Sequence, residues 1–232
     1  MLKSRVALIP AYQPAEGLID LLEELTSDGF DIIVVNDGSS PEYEEIFIKA
    51  STYAMILTHS VNRGKGAALK TGLKYIKNRY GENCTVVTMD ADGQHSPLDA
   101  LKVIKTAEEN TDALVIGSRA LDKDVPHRSQ FGNTLTRLIY RLATGVSVRA
   151  GLRAFSGSLI SIILDIPGKR YEFEMNMLLI LPESGIKIME REIKTIYIDG
   201  NSSSHFDSVK DSIRIYREIF RFMWHKKEWQ EK

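Results

Sequence analysis

Two carboxylates, Asp90 and Asp92, stand one residue apart shortly after the apolar run CTVV at 84–87, with Thr88 and Met89 between. Like charges at the end of a buried strand repel each other and resist burial unless a cation lies beside them. Two carboxylates in one turn can reach a single divalent cation, and Mg²⁺ or Mn²⁺ takes oxygen ligands that it shares with substrate phosphates. Gln94 offers a third oxygen. This spacing favours a metal site, although an isolated Asp-x-Asp is also common on protein surfaces.

Two further polar segments follow strand-like runs. Asp37 comes after IIVV in an Asn-Asp-Gly-Ser turn, where its carboxylate either accepts a hydrogen bond from a nucleotide base or simply helps to form the turn. The segment HSVNRGKGAA at 59–68 places Lys65 between two glycines before a helical pattern. Glycine permits close backbone approach, and a cation near a helix N-terminus suits an anion. The segment lacks the first glycine and the Ser or Thr of a Walker A loop.

These polar segments lie within an alternation of strand and helix patterns. The strand-like runs are RVALIPAY, DIIVVN, AMILTH, CTVVTMD and ALVIGSR. The helical runs are EGLIDLLEELTSDG, PEYEEIFIKAST, KGAALKTGLKYIKNRYG and LDALKVIKTAEEN, and the third repeats apolar residues at Ala68, Leu69, Leu73, Ile76 and Tyr80. Such alternation predicts an α/β fold with a mostly parallel central sheet and helices on both faces. Ligands bind beyond the carboxyl ends of strands in such sheets, where residues 36–39, 90–95 and 117–119 fall.

Composition sets limits on the class of protein. The chain of 232 residues is long enough for one good-sized core. Its formal charge of −1 and pI near 6.5 argue against a nucleic-acid partner. The single cysteine, Cys84, excludes an internal disulfide, fits a reducing compartment and is expected to be buried in a strand. The apolar run before Pro10 is too short for a signal peptide. No other run approaches the ~18 apolar residues of a membrane-spanning helix. We expect a cytoplasmic protein, free or lying on a membrane.

Several of these segments together resemble a known family. IPAYQP, VVNDGS, NRGKGAA, MDADGQHSP, GSR and GLRAF occur in this order, followed by YEFEMNMLL and IYIDGNSSSHF. They resemble family-2 glycosyltransferases of the nucleotide-diphospho-sugar type, and within that family the dolichyl- or polyprenyl-phosphate hexosyltransferases. The resemblance covers nearly the whole chain. It implies a glycosyltransferase A type fold. We place the catalytic domain over 1–204 and, from the residue spacing described below, a C-terminal amphipathic helical segment over 205–232.

The resemblance also assigns roles in binding the nucleotide sugar. It implies that the base is lined by Pro10, Ala11 and Tyr12 and hydrogen-bonded by Asp37. It implies that Asp90, Ala91 and Asp92 bind ribose, diphosphate and Mg²⁺ or Mn²⁺, with Gln94 completing the metal ligands. We also expect Lys65 to contact the donor. His205 follows a Gly-Asn-Ser loop, which either closes over the diphosphate and brings His205 to the donor or leaves His205 with a structural role. Departures from the family pattern include Gln13-Pro14 in place of Asn-Glu, Asn36 in place of an aspartate, and Ser147 in place of another.

The expected reaction is an inverting transfer of a hexose from a nucleoside diphosphate to a polyprenyl phosphate. A lipid phosphate is already an anionic nucleophile, so it needs cations to hold it rather than a strong base. The resemblance assigns the acceptor phosphate to Arg119, Arg128 and Ser129, and the catalytic roles to Asp92, Arg119 and Arg128. Such an enzyme would serve the synthesis of cell envelope glycans.

Other interpretations remain open at this level. Glu172 and Glu174 are either a base for a hydroxyl acceptor in glycan or capsule synthesis, or they orient the sugar or pair with Arg153. Arg153 itself either reaches a phosphate or links helix and sheet. A sugar-phosphate nucleotidyltransferase is less compatible, because IPAYQP lacks the glycine-rich loop usual after the first strand. A non-catalytic nucleotide-sugar-binding protein would not need the Asp90 to Gln94 set.

The last residues suggest contact with a membrane surface. From position 206, apolar and aromatic residues recur every three or four positions, the spacing of one helical face. Basic residues repeat beside them at Lys210, Arg214, Arg217 and Arg221. This arrangement is typical of a helix lying in a membrane interface, which would make the enzyme peripheral on the cytoplasmic face. The alternatives are a helix that packs on the domain or one that pairs with a second subunit in a homo-oligomer.

Overall fold

A computed structural model describes residues 3–93, 95–119 and 151–193, with Arg119 described by its backbone alone. The strands are β1 (Ser4–Ala11), β2 (Asp31–Asn36), β3 (Met55–Thr58), β4 (Cys84–Thr88), β5 (Ala113–Arg119), β6 (Arg153–Ser156) and β7 (Lys187–Ile193). The helices are α1 (Gly17–Ser27), α2 (Glu44–Ala50), α3 (Lys65–Tyr80), α4 (Pro97–Glu109), α5 (Ile160–Asp165) and α6 (Glu172–Glu183). Short 3₁₀ turns at Pro41–Tyr43 and Gly157–Leu159 precede α2 and α5.

The seven strands form one sheet in the order β3-β2-β1-β4-β6-β5-β7. All neighbouring pairs are parallel except those of β6, which runs antiparallel to both β4 and β5. The predicted mostly parallel sheet is therefore confirmed. The reversed strand β6 is an addition to the prediction, because its four residues are too few to display a periodicity.

Helices cover both faces of the sheet, as predicted, and each face has its own apolar core. Successive side chains of a strand point to opposite faces. In β1, Val6 and Leu8 therefore belong to the core beneath α3, α5 and α6. Ala7 and Ile9 belong to the core beneath α1 and α4. Burial on both faces explains why β1 and β4 read as continuous apolar runs.

Helix α3 packs closely on the centre of the sheet. Four of the five apolar positions predicted for this helix are buried, namely Ala68, Leu69, Leu73 and Ile76. The fifth, Tyr80, is half-buried. A Cβ added at Gly72 would lie 2.2 Å from Cδ1 of Leu8, so a glycine is needed for the close approach of helix and strand. This packing holds the first turn of α3, with Lys65, at the carboxyl edge of the sheet.

The start of α4 fixes the turn that carries the paired carboxylates. Ser96 caps the helix, because its hydroxyl oxygen accepts from the backbone N–H of Asp99 at 3.2 Å, and Pro97 occupies the first helical turn. Cys84 at the other end of β4 is buried, as the sequence predicts. Strand β4 and the cap of α4 thus hold residues 89–93 between them at one edge of the sheet.

None of the helices within the described ranges is both long and apolar enough to cross a membrane. The predicted amphipathic segment 205–232 lies outside the described residues, and so does the boundary proposed for it at 204. Both therefore stay predictions.

Candidate active site

The carboxyl ends of β1, β2 and β4 open into a cavity of about 590 Å³. Parallel strands end at the same edge of a sheet, and the register aligns Ala11 of β1 with Asn36 of β2. The eight donor-site residues that the sequence predicts and the structure describes all line this cavity: Pro10, Ala11, Tyr12, Asp37, Lys65, Asp90, Ala91 and Asp92. The structure brings them together, while the individual roles remain predictions.

Asp37, just after β2, is 3% exposed, and its carboxylate is held by three hydrogen bonds. Oδ1 accepts from the backbone N–H of Arg63 at 3.0 Å and lies 2.6 Å from Nδ1 of His59. Oδ2 accepts from the backbone N–H of Gly64 at 2.7 Å. An ionised carboxylate can only accept, so Nδ1 of His59 carries the proton and donates it. Asp37 therefore anchors the loop between β3 and α3 while its edge faces the cavity.

His59 and Thr71 are functional candidates that the sequence analysis did not single out. His59 is 6% exposed, and its Nε2 lies 2.9 Å from Oγ1 of Thr71 on α3. Both ring nitrogens are thus engaged, one by Asp37 and one by Thr71. The available signal was a histidine directly after a short strand, which alone does not separate a structural residue from a functional one.

The turn after β2 is tied to the loop after β1. Asn36 Oδ1 accepts from the backbone N–H of Ser39 at 2.9 Å, and Ser39 Oγ accepts from the backbone N–H of Gln13 at 2.9 Å. Gly38 has a φ of +72°, and a Cβ there would lie 2.2 Å from the backbone carbon of Val61. The departures Asn36 and Gln13 therefore take part in a network that shapes the cavity wall.

A chain of alternating charges begins at the cavity with Lys65 and Asp90 and continues into the buried interior with Glu174 and Arg153. Nζ of Lys65 is 2.7 Å from Oδ1 of Asp90 and 2.7 Å from Oε2 of Glu174. Glu174 Oε1 in turn pairs with Nη1 of Arg153. These four residues come from α3, the end of β4, α6 and β6, so the chain connects elements that are far apart in sequence. Its two carboxylates and two cations balance.

This arrangement keeps the two groups nearest the cavity charged. Burial lowers the pKa of the Lys65 ammonium, but the carboxylates of Asp90 and Glu174 outweigh it, so that the pKa is raised above its usual range. Burial raises the pKa of the Asp90 carboxyl, but Lys65 outweighs it, and that pKa is lowered. Both groups are therefore ionised at neutral pH.

The residues at the end of β4 fit a hard divalent cation. Asp90 and Asp92 both line the cavity and supply carboxylate oxygens, the ligands that Mg²⁺ and Mn²⁺ prefer. A Cβ at Gly151 would lie 2.6 Å from Oδ2 of Asp90 and 2.3 Å from Nε2 of His95, so a larger residue there would displace one of these two side chains. Gln94 lies outside the described residues. Within those ranges no three His, Cys, Asp or Glu side chains are grouped so that they could hold a metal ion by themselves.

The two glutamates proposed as an alternative base have other partners. Glu174 is 5% exposed and has Lys65 on one oxygen and Arg153 on the other. Glu172 Oε1 accepts from the backbone N–H groups of Lys169 and Arg170 at 2.9 and 3.1 Å, before the first turn of α6. The sequence left several roles open for Glu174, and the structure shows one of them, an ion pair with Arg153.

Asn62, Arg170 and Tyr171 are among the cavity residues to which the sequence gave no role. Arg170 is exposed, and no carboxylate of the described part of the chain lies within ion-pair distance of it. A Cβ at Gly64 would lie 2.5 Å from Cγ of Arg170, so this side chain runs along the Lys65 loop. The ring centre of Tyr171 is 5.9 Å from Nζ of Lys65. A basic and an aromatic residue directly before a helix was the signal available.

The predicted acceptor residues are not tested by this geometry. Arg119 ends β5, where its backbone is paired with Ile193 of β7, and its side chain is not described. Arg128, Ser129 and His205 lie outside the described residues. Their roles stay predictions.

Comparison with known proteins agrees with this geometry. The model of the family described as "Glycosyl transferase family 2" matches residues 6–162. An uncharacterized protein of Methanocaldococcus jannaschii is 34% identical over 84% of this chain and 83% of its own length. The UDP-N-acetylglucosamine–dolichyl-phosphate N-acetylglucosaminyltransferase of Methanococcus voltae is 31% identical over 83% of this chain and 85% of its own.

Solved structures show the same fold. Glucosyl-3-phosphoglycerate synthase of Mycobacterium tuberculosis superposes with a TM-score of 0.67 at 18% identity, covering 94% of this chain and 80% of that one. The same enzyme has been crystallised with Mn²⁺, UDP and phosphoglyceric acid. The predicted glycosyltransferase A type fold is therefore confirmed. A family model that matches more than half of the chain, and relatives above 30% identity along most of it, establish that the chain belongs to glycosyltransferase family 2 and is a glycosyltransferase.

Proposed function

We propose that this enzyme transfers a hexose, with inversion and with the help of a divalent cation, from a nucleoside-diphosphate sugar to a polyprenyl phosphate. The observation that supports this acceptor most directly is the environment of Glu174. Both of its oxygens are engaged by cations, Lys65 and Arg153, so it is poorly placed to take a proton. A hydroxyl acceptor needs such a base, whereas a lipid phosphate does not.

The donor would occupy the cavity at the ends of β1, β2 and β4. Asp37 presents an acceptor edge for the base, beside the wall formed by residues 10–12. Asp90 and Asp92 would hold Mg²⁺ or Mn²⁺, which when bound neutralises the charge that develops on the departing diphosphate. Lys65 lies beside Asp90 and adds a positive charge at the same place.

The acceptor phosphate would be held by cations. We retain Arg119, Arg128 and Ser129 as its proposed contacts. Arg170 is a further cation at the cavity, and no described carboxylate neutralises it, which suits an anionic group. The Methanococcus voltae relative, whose name specifies dolichyl phosphate as its acceptor, supports the same class of substrate.

We further propose that the protein works at the cytoplasmic face of a membrane, since a polyprenyl phosphate is anchored there. The segment 205–232 would provide the contact, or it would pair with a second subunit. Cosedimentation of the full chain with anionic liposomes, compared with a chain ending at Ser204, tests this part. Loss of binding on truncation is the expected result, and equal binding by both chains would contradict it.

The experiment on the reaction itself is a transfer assay. The full chain is incubated with a labelled nucleotide sugar, Mn²⁺ and a polyprenyl phosphate in detergent, and label is counted in the organic phase. We expect an extractable lipid-linked sugar of inverted anomeric configuration, and its loss when EDTA is added. Transfer to a hydroxyl acceptor but not to the lipid phosphate would overturn the proposed acceptor. Donor binding without any transfer would indicate a binding protein.

A further inference from the structure

The hydrogen bonds of Asp37 leave it a single free acceptor position. A carboxylate has about four lone-pair positions, two on each oxygen. Oδ1 is filled by His59 Nδ1 at 2.6 Å and by the backbone N–H of Arg63 at 3.0 Å. Oδ2 has one partner, the backbone N–H of Gly64 at 2.7 Å. The side chain is only 4% exposed, so a ligand in the cavity meets one edge of it.

Both partners of Oδ1 belong to the protein, so no acceptor position on this oxygen is open to a ligand. The side chain of His59 is 4% exposed. Its Nε2 lies 2.9 Å from the hydroxyl of Thr71, which fixes the ring from the side opposite Asp37. The two backbone donors are held as well, because Gly38 packs against the backbone of Val61 in the same loop. His59 therefore decides how many acceptor positions Asp37 presents.

We propose that His59, held by Thr71, is a positioning residue that makes the Asp37 subsite select uridine over guanosine. This rests on the proposed function, in which Asp37 contacts the base of a nucleotide sugar. The pairing edge of uracil offers one N–H, which the free position on Oδ2 can accept. Guanine offers two adjacent donors, its ring N–H and its amino group, and these need both carboxylate oxygens. With Oδ1 filled, one donor of guanine is buried without a partner, which is costly.

Binding of UDP and GDP to the full chain tests this, measured by calorimetry with Mn²⁺ present. We expect the wild type to bind UDP roughly tenfold more tightly than GDP, one decade of dissociation constant. Two variants separate the ring nitrogens. His59→Asn places an amide N–H near the position of Nδ1 and should keep the preference. His59→Gln places its amide near Nε2, which frees one of the two acceptor positions on Oδ1 and should reduce the preference to about threefold or less.

The ratio of the two affinities distinguishes this role from a structural one. If His59 only supports the fold, His59→Gln weakens UDP and GDP equally and leaves the ratio unchanged, which would overturn the proposal. Equal affinity of the wild type for UDP and GDP would also overturn it. Thr71→Val keeps the Nδ1 donor, so it should shift the ratio less than His59→Gln does. A failure of the proposed function would show differently, as no binding of either nucleotide or no transfer to a lipid phosphate.

Discussion

Two carboxylates, Asp37 and Asp90, follow the strands on either side of β1 and line one cavity, yet their negative charges are stabilised in different ways. Asp37 accepts from two backbone N–H groups and a buried histidine. Asp90 pairs with the ammonium of Lys65. Backbone donors have fixed directions, whereas an ammonium on a four-carbon stem can turn toward another anion. Under the proposed function, the Asp37 region would recognise a fixed pattern of donors, and the Asp90 region would rearrange its charges when a cation and a diphosphate bind.

The largest effect on activity should come from a substitution in the Asp90 region. Asp92→Asn removes a proposed metal ligand and should lower Mn²⁺-dependent transfer about a thousandfold, because metal stabilisation of several kcal/mol is lost. The measurement is the initial rate of transfer at saturating donor. Asp112→Asn is the matched control, since Asp112 is an exposed residue that pairs with Lys187 at the surface. Activity of Asp92→Asn within tenfold of wild type would refute the metal assignment.

Replacing the ammonium itself should cost stability. Lys65→Met leaves Asp90 and Glu174 in the same place with one cation fewer, and we expect a loss of about 3 kcal/mol in the free energy of unfolding, measured in urea. Arg5→Met is the control at the opposite end of the sheet, where Arg5 pairs with Glu108 in a more exposed position. Its loss should be about 1 kcal/mol or less. Similar losses in both variants would show that the charge chain has no special weight.

Glycine substitutions test whether the Asp37 region depends on the close packing of its loops. Gly38 and Gly29 both have a left-handed backbone, with φ of +72° and +79°. A Cβ at Gly38 would meet the backbone of Val61 at 2.2 Å, whereas nothing lies within 4 Å of a Cβ at Gly29. Gly29→Ala should therefore cost about 1 kcal/mol of backbone strain, and Gly38→Ala distinctly more. Only Gly38→Ala should also weaken UDP binding. Equal melting temperatures would contradict this view of the loop.

The smallest expected effect is that of pH on the charge chain. The lowered pKa of Asp90 means that its stabilising contribution is present above its unfolded value and is lost as pH falls through the folded one. The raised pKa of Lys65 means that its contribution is present below the usual lysine value and is lost only above it. In the wild type both groups should stay charged from about pH 5 to pH 9, so this pair should add no slope to the free energy of unfolding there. In Lys65→Met burial acts on Asp90 without its cation, so the stability difference between the two proteins should be smaller at pH 5 than at pH 9. Urea titrations across that range measure it, and a larger difference at pH 5 would contradict the expectation.

Much of the fold follows from sequence periodicity. The apolar runs at 31–36 and 84–88 are strands buried on both faces, and the spacing of Ala68, Leu69, Leu73 and Ile76 identifies the inner face of α3. Strand β6 was not predicted, because four residues carry too little pattern and its direction depends on pairing with β4 and β5. Local patterns indicate elements, but strand order is decided by contacts between distant residues.

The candidate site divides in the same way. Residue types at strand ends indicated Asp37, Asp90 and Asp92, because polar residues after an apolar strand lie at the carboxyl edge. The sequence could not indicate which groups occupy each oxygen. Glu174 meets Lys65 across more than a hundred residues, and the partnership of His59 with Asp37 requires β2, β3 and α3 to be packed together. Only the observed partners of Glu174 show that it belongs to an ion pair instead of being free to act as a base.

The most direct test of the account is a titration of UDP, with and without Mn²⁺, into the wild type, Asp37→Asn and Asp92→Asn. We assign base recognition to Asp37 and metal binding to Asp92. Asp92→Asn should lose the strengthening by Mn²⁺ and keep the metal-free affinity. Asp37→Asn should bind UDP more weakly in both conditions and keep the strengthening. If Asp37→Asn abolishes the effect of Mn²⁺, or Asp92→Asn retains it in full, the two carboxylate regions do not have the separate roles assigned to them.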